Sequence, residues 1–267
     1  MRALSCICTQ KSVLSSLLMS KFMFLKNKVL IFDLHETIIN LRRPYPVLYQ
    51  DFIQKFFGYD VDLKLIEKVL MNYKFEFDSE KLINDHIIAE KWSLYHCQIV
   101  KQLLPVDYPR AIKFGLTVND AFNFNHKIFY CSCRSLLKKL SRRNILVLCT
   151  NGMKSVERVI SFFRFDDIFD LIIIAGRDGL SKPDPEIISR IEVATKMSRR
   201  NFLIIGNSRN HDVELGLRSG VETCFLDNQG NGCNSATYII KSIQELALIN
   251  IYNTQFYERS SLRRFAG

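Results

Sequence analysis

The stretch KVLIFDLHETIIN, from Lys28 to Asn40, decides the fold of this chain. Four apolar residues, Val29 to Phe32, lead directly into an acid, Asp33. An uninterrupted apolar run of this kind is typical of a strand that is buried on both faces of a parallel sheet. Asp33 then lies at the carboxyl end of the strand, the edge where open α/β sheets bind ligands. A carboxylate there can act as a nucleophile, a metal ligand or a general base, or it can simply cap the next helix.

Composition narrows the class of protein. The 267 residues are 48% hydrophobic and 24% charged, which predicts a soluble globular chain of one large or two smaller domains. No apolar run approaches the roughly 18 residues that a membrane span needs, so none is expected. The eight cysteines include no pair of C-x-x-C motifs, which indicates a reducing compartment and therefore a cytoplasmic location.

The net charge of +10 fits either a nucleic-acid partner or small anionic substrates. We expect no nucleic-acid partner, because the basic residues are dispersed and no basic block is interleaved with aromatic residues. Dispersed pairs of this kind are typical of a solvated surface. The pairs are Arg42-Arg43, Arg142-Arg143, Arg199-Arg200 and Arg263-Arg264.

The two ends of the chain differ from its centre. Residues 1–27 hold basic residues and several serines but no acid, which is the composition of an organellar transit peptide. A disordered extension or a later start at Met19 or Met23 fits the same residues. An organellar location is the alternative to a cytoplasmic one if the segment is a transit peptide. Residues 251–267 are expected to form a basic tail.

Residues 42–130 show helical periodicity without repeated strand-like runs, which predicts an inserted helical subdomain. The expected helices are 47–57 closed by Gly58, 60–73 capped by Asp60, one from Asp78 or Ser79 to 104, and one within 111–129.

Strands and helices alternate again after residue 131, so residues 28–41 and 131–250 are predicted to form the catalytic core. The expected fold is a Rossmann-like parallel sheet with helices on both faces. The predicted strands are 145–149, 171–175, 202–205, 221–226 and 238–240, and the helices are 133–143, 155–163, 185–197, one ending near Gly220 and one from Ser242.

Three polar clusters follow these strands: Thr150-Asn151, Ser181 to Pro185, and Asn207 with Asp212. Because parallel strands place their carboxyl ends along one edge, the clusters are expected to converge on Asp33. The set suits an anion held beside a divalent cation. Each cluster also has a purely structural explanation as a helix cap or helix start, but their joint occurrence in this order is improbable by chance.

In four motifs the chain resembles the haloacid dehalogenase-like (HAD) hydrolase superfamily. The resemblance covers Lys28 to about Leu248, with the helical insertion where many members carry a cap between the first and second motifs. The motifs are Asp33-Leu-His35-Glu-Thr37, Thr150-Asn151-Gly152, Lys182-Pro-Asp-Pro185, and Gly206-Asn207-Ser208 followed by Asp212.

The resemblance implies a role for each matching residue. Asp33 would be the nucleophile that takes a phosphoryl group, and Lys182 would neutralise charge between nucleophile and substrate. Thr150 and the amide of Asn151 would hold phosphate oxygens. The ligands of Mg²⁺ would be the side chains of Asp33, Asn207 and Asp212 with the backbone carbonyl of His35.

Two residues depart from the family pattern. His35 stands where phosphatases of the family usually carry the Asp that serves as acid and base. A histidine near its ordinary pKa of about 6.5 could do both jobs or fail to, and a neutral imidazole beside Mg²⁺ suits a base better than an acid. Asn207 stands where Asp is common, which removes one negative charge and predicts weaker metal binding.

The leading prediction is a Mg²⁺-dependent phosphatase that acts on a small phosphorylated metabolite through an aspartyl-phosphate. The two departures leave open a catalytically impaired binding protein. Carbon–halogen hydrolysis is a further alternative, because it needs neither a metal nor an acid for the leaving halide. The sequence predicts neither the substrate nor the oligomeric state.

Overall fold

The computed structural model describes residues 27–73, 85–124, 129–152, 154 and 156–246. Within these residues, six parallel strands form one sheet: β1 Val29–Phe32, β4 Ile145–Thr150, β5 Leu171–Ile174, β6 Phe202–Gly206, β7 Glu222–Leu226 and β8 Tyr238–Ile240. Their order across the sheet is β5-β4-β1-β6-β7-β8. All of β1 is buried, and it pairs with β4 on one side and β6 on the other. The predicted parallel α/β sheet is therefore confirmed, with strand ends shifted by about one residue.

Buried side chains on the two faces of the sheet belong to separate clusters. Because successive side chains of a strand alternate in direction, Leu30 and Phe32 lie in one cluster and Val29 and Ile31 in the other. Helices cover both faces. The helices that contribute to the cluster of Leu30 and Phe32 are α5 Arg134–Leu140 and α6 Val156–Phe162. The helices that contribute to the cluster of Val29 and Ile31 are α7 Glu186–Thr195 and α8 Glu214–Ser219.

The described part of the insertion contains four helices: α1 Tyr45–Phe57, α2 Leu63–Asn72, α3 Asp85–Leu103 and α4 Tyr108–Phe124. They bury a hydrophobic cluster of their own. As predicted, α1 ends at Gly58, whose φ of +78° is the left-handed conformation that glycine adopts freely. The second helix was predicted to begin at Asp60, but its cap is Asp62, whose carboxylate accepts a hydrogen bond from the Lys64 N–H at 2.7 Å.

A short antiparallel ribbon lies at the base of the insertion. Strands β2 Asn40–Leu41 and β3 Phe129–Tyr130 pair with each other, so the chain leaves and re-enters the sheet region at neighbouring points. Neither strand was predicted, because two residues are too few to show a period. Phe129 was expected at the end of a helix and lies in this ribbon instead.

Some predictions fall outside the described residues. These are the extension before residue 27, the start of the third helix at Asp78 or Ser79, most of the helix from Ser242, and the tail 251–267. Among the helices that the structure describes, none has the length and apolar character of a membrane span.

Candidate active site

A buried lysine joins two carboxylates at the carboxyl edge of the sheet. The Lys182 Nζ lies 2.6 Å from Asp33 Oδ1 and 2.7 Å from Asp212 Oδ1. It also donates to the backbone carbonyl of Cys149, at the end of β4, at 3.1 Å. Lys182 is 4% exposed and Asp212 2%. The sheet therefore brings together three groups that are distant in the sequence.

The electrostatics of this cluster keep the lysine charged. Burial disfavours the ammonium, but the carboxylates of Asp33 and Asp212 outweigh burial, so the pKa of Lys182 lies above its ordinary value. Burial raises the pKa of Asp212, an effect that Lys182 partly offsets. One ammonium and two carboxylates leave a net negative charge, which favours a cation beside the cluster.

Asp33 and Asn207 present oxygen atoms to the same hydroxyl. Thr37 Oγ1 lies 3.2 Å from Asp33 Oδ2 and 3.3 Å from Asn207 Oδ1, and Thr37 is 1% exposed. The Asp33 backbone N–H donates to the carbonyl of Ile205 in β6, which fixes the end of β1 beside Asn207. The sequence showed Thr37 as part of a motif, but its position between two predicted ligands depends on the fold of the loop.

The donors near Asp33 fit a hard cation such as Mg²⁺, which prefers carboxylate and carbonyl oxygens. The described residues hold no group of three or more His, Cys, Asp and Glu side chains in a ligand arrangement. A Mg²⁺ site near Asp33 would accordingly need the Asn207 amide oxygen and a backbone carbonyl as ligands. Both oxygens of Asp212 already have partners, because Oδ1 contacts Lys182 and Oδ2 accepts from the Ser208 N–H at 3.0 Å.

Gly206 allows the Asp212 carboxylate to approach the backbone. A Cβ at Gly206 would lie 2.1 Å from Asp212 Oδ2, so no other residue fits without displacing this carboxylate. Asp212 lies in a π-helical turn, Arg209–Val213, that follows β6 and leads into α8.

The predicted phosphate-binding residues have structural contacts. The Lys182 N–H donates to Asn151 Oδ1 at 2.6 Å, and Asn151 Nδ2 donates to the Lys182 carbonyl at 3.2 Å. The side chain of Asn151 thus holds the loop that carries Lys182. Thr150 is 2% exposed, and its Oγ1 accepts from the Gly152 N–H at 3.2 Å.

His35 lies between the cluster and the ribbon. Its ring packs edge-on against Phe129 of β3, with centroids 5.6 Å apart. Burial, and secondly the Lys182 charge, lower the pKa of His35 to about 4. A lowered pKa favours the neutral imidazole, here through burial and the Lys182 charge rather than through a neighbouring Mg²⁺.

The known proteins that this chain resembles include a nucleotidase and a phosphatase. A model of the haloacid dehalogenase-like hydrolases matches residues 30–226. Pyrimidine 5′-nucleotidase YjjG of Escherichia coli is 28% identical over 118 residues, 42% of this chain and 52% of that enzyme. Glyceraldehyde 3-phosphate phosphatase of Pyrococcus furiosus is 21% identical over 205 residues, 74% of this chain and 80% of that enzyme.

Solved structures share the fold. The HAD-hydrolase YfnB of Bacillus subtilis, in a crystal structure bound to magnesium, gives a TM-score of 0.61 at 18% identity and covers 85% of this chain and 100% of its own. L-2-haloacid dehalogenase of Xanthobacter autotrophicus gives 0.57 at 13% identity, with coverage of 84% and 98%. The family model spans most of the chain and includes Asp33, Lys182 and Asp212, so this protein belongs to the haloacid dehalogenase-like hydrolase family.

Proposed function

We propose that the protein is a Mg²⁺-dependent phosphatase that transfers the phosphoryl group of a small phosphorylated metabolite to Asp33. The observation that carries this proposal is the Lys182 ammonium, which lies within 2.7 Å of the carboxylates of both Asp33 and Asp212. A carboxylate and a phosphate repel each other as they approach, and a buried cation between them lowers that repulsion. The phosphatase and the nucleotidase among the relatives support the same class of substrate.

The reaction proceeds in two displacements. A carboxylate oxygen of Asp33 forms a bond to phosphorus while the ester P–O bond breaks, and the alcohol leaves with a proton from solvent. Water then attacks the aspartyl-phosphate, which releases inorganic phosphate and regenerates the carboxylate. Mg²⁺, held by Asp33, Asn207 and the His35 carbonyl with Asp212 nearby, would supply charge stabilisation for the phosphoryl oxygens.

His35 takes part as a weak base. Because its imidazole is neutral, it can accept a proton from the attacking water but is not an acid for the leaving alcohol. Turnover should therefore depend strongly on the leaving group, with aryl phosphates cleaved faster than alkyl phosphates.

The test is a steady-state assay of a panel of phosphate esters with and without Mg²⁺. We expect Mg²⁺-dependent release of phosphate, and its loss in Asp33→Asn. The matched control is Asp167→Asn, which alters a surface carboxylate paired with Arg164. A folded wild-type protein that cleaves no ester, and does not respond to Mg²⁺, would contradict the proposal.

A phosphate-binding protein without turnover is the second candidate. What favours it is the pair of departures from the family pattern, His35 and Asn207, which replace the usual acid–base Asp and remove one negative charge from the site. Beryllium fluoride mimics the phosphoryl group on Asp33 and separates the two functions. Mg²⁺-dependent fluoride binding without hydrolysis of any ester, and turnover gained by His35→Asp, would favour the binding protein.

A further inference from the structure

Glu36 has a backbone conformation that favours glycine. Its φ is +57°, in the left-handed region, which is costly for a residue with a side chain. Its N–H donates to the Ile39 carbonyl at 2.8 Å, and its carbonyl accepts from Asn228 Nδ2 at 3.1 Å. Glycine would make both of these main-chain hydrogen bonds, so the fold of the loop does not account for a glutamate here.

The glutamate side chain contacts the predicted metal site. Glu36 Oε2 accepts a hydrogen bond from Asn207 Nδ2 at 2.9 Å. Because the nitrogen of this amide is bound to Glu36, its oxygen faces the opposite direction, 3.3 Å from Thr37 Oγ1. The same hydroxyl lies 3.2 Å from Asp33 Oδ2. The hydrogen bond to Glu36 therefore accompanies an orientation in which the Asn207 oxygen lies beside Thr37, whose hydroxyl also contacts Asp33.

The contact also places the negative charge of Glu36 beside the Asn207 amide. An asparagine offers a cation an oxygen but no negative charge, whereas a carboxylate offers both. The Glu36 carboxylate lies on the far side of the same amide group. A negative charge there polarises the amide and attracts a cation beside its oxygen, although it does not itself bind the metal.

We propose that Glu36 is a positioning residue of the metal site, which turns the Asn207 oxygen toward Asp33 and supplies the negative charge that Asn207 lacks. The inference rests on the Mg²⁺ site of the proposed function. Residues that orient a metal ligand typically change metal affinity by about tenfold or more when they are replaced. Glu36 should behave in this way, although it is exposed and lies outside the predicted ligand set.

The first experiment measures Mg²⁺ binding to the full chain by titration calorimetry, with the melting temperature as a second readout. Glu36→Gly should weaken Mg²⁺ binding about tenfold, while the melting temperature without Mg²⁺ stays equal or rises because glycine relieves the left-handed strain. Glu36→Gln keeps a hydrogen-bond acceptor and removes the charge, so a smaller loss is expected. The control is Glu67→Gln on α2, which should bind Mg²⁺ as the wild type does.

The second experiment is a double-mutant cycle. The effect of Asn207→Asp on Mg²⁺ affinity is measured with Glu36 present and again in the Glu36→Gln variant. With Glu36 present, the new carboxylate lies against a second one, so the gain in Mg²⁺ affinity should be smaller than in Glu36→Gln. Equal effects in both backgrounds, or unchanged Mg²⁺ affinity in Glu36→Gly, would overturn the inference and leave the phosphatase proposal standing. A wild-type protein that binds no Mg²⁺ at all would instead overturn the metal site and, with it, this inference.

Discussion

Lys182 lies at the centre of the buried charged cluster, so the proposed chemistry and the stability of the site can both be tested through it. It is nearly fully buried, and its ammonium contacts two carboxylates and a backbone carbonyl. Removal of one member of a buried charged cluster leaves the others without compensation, which typically costs about 3–5 kcal/mol. Exposed ion pairs contribute about 1 kcal/mol or less.

Lys182→Met is therefore expected to abolish turnover and to lower the free energy of unfolding by about 3–5 kcal/mol, measured by urea denaturation. Mg²⁺ should stabilise this variant more than the wild type, because the metal can compensate the charges of Asp33 and Asp212 once the ammonium is absent. The control is Arg190→Met, which removes an exposed pair with Glu186 and should change stability by less than about 0.5 kcal/mol. Equal losses in the two variants would contradict the buried pairing.

Gly206→Ala tests the close approach of Asp212 to the backbone. The added Cβ would displace the carboxylate, so we expect a loss of about 1–3 kcal/mol in unfolding free energy together with a loss of turnover. Gly220→Ala is the matched control, because Gly220 has a φ of +65° and open space around it. It should lose about 1 kcal/mol of stability and keep its kcat.

At the level of elements, the long regular segments could be predicted and the short irregular ones could not. Apolar runs identified β1 and the later strands, because a strand buried on both faces carries an uninterrupted pattern. The ribbon β2–β3 carries too few residues for any pattern. The prediction that Asp33 and Asp212 lie close together followed from the same strands, because parallel strands place their carboxyl ends along one edge of the sheet.

The contacts made by the loops are the part that was missed. The contacts of Glu36 and Thr37 follow from a left-handed residue and a tight turn, and although Thr37 belongs to a recognisable motif, neither contact has a signature in a single sequence. The side chain of Asn151 binds the backbone of the lysine loop, a contact between residues 31 positions apart that the sequence did not predict, and the expected role of the Asn151 amide toward phosphate stays a prediction. Such contacts become visible only when the loops are placed side by side.

The segment after β3 carries two neighbouring thiols, Cys131 and Cys133. Cys131 Sγ lies 3.8 Å from Cys133 Sγ, and the hydrogen bond from Cys133 is the main cause that lowers the pKa of Cys131 to about 7. Burial raises the pKa of Cys149 and of Cys224 to about 12. Since the thiolate is the nucleophile, Cys131 should react first among the described cysteines.

Mass spectrometry after brief iodoacetamide treatment measures this prediction. The rate at Cys131 should rise with pH and reach half its maximum near pH 7. Cys133→Ala should move that midpoint toward the ordinary value of about 8.5, and Cys133→Ser should move it less because the hydroxyl still donates. A midpoint that is the same in all three proteins would show that Cys133 has no effect on its neighbour.

For the molecule as a whole, acid is expected to weaken folding through histidines that are buried in the neutral form. His96 is 3% exposed among the rings of the insertion, and within the described residues its Nδ1 has no hydrogen-bond partner. Burial lowers its pKa to about 3. Below about pH 6.5 the unfolded chain binds a proton that the folded chain does not, so stability falls with pH toward 3 by up to about 1.4 kcal/mol per unit.

Urea denaturation between pH 7 and pH 5 should show this loss in the wild type, and His96→Phe should reduce the slope. His35, whose pKa is also lowered, contributes with the same sign, so part of the slope should persist. The control is Leu217→Gln at an exposed position, which removes no titratable group and should leave the slope unchanged. An identical slope in His96→Phe would assign the acid sensitivity to other groups.

The β2–β3 ribbon has a consequence for how such a protein can diversify. A segment whose two ends emerge at adjacent positions can be lengthened, shortened or transplanted from another gene without shifting the register of the strands behind it. The insertion buries a hydrophobic cluster of its own and joins the sheet region through this ribbon. Changes in the length of the insertion should therefore leave the pairing of the sheet strands intact.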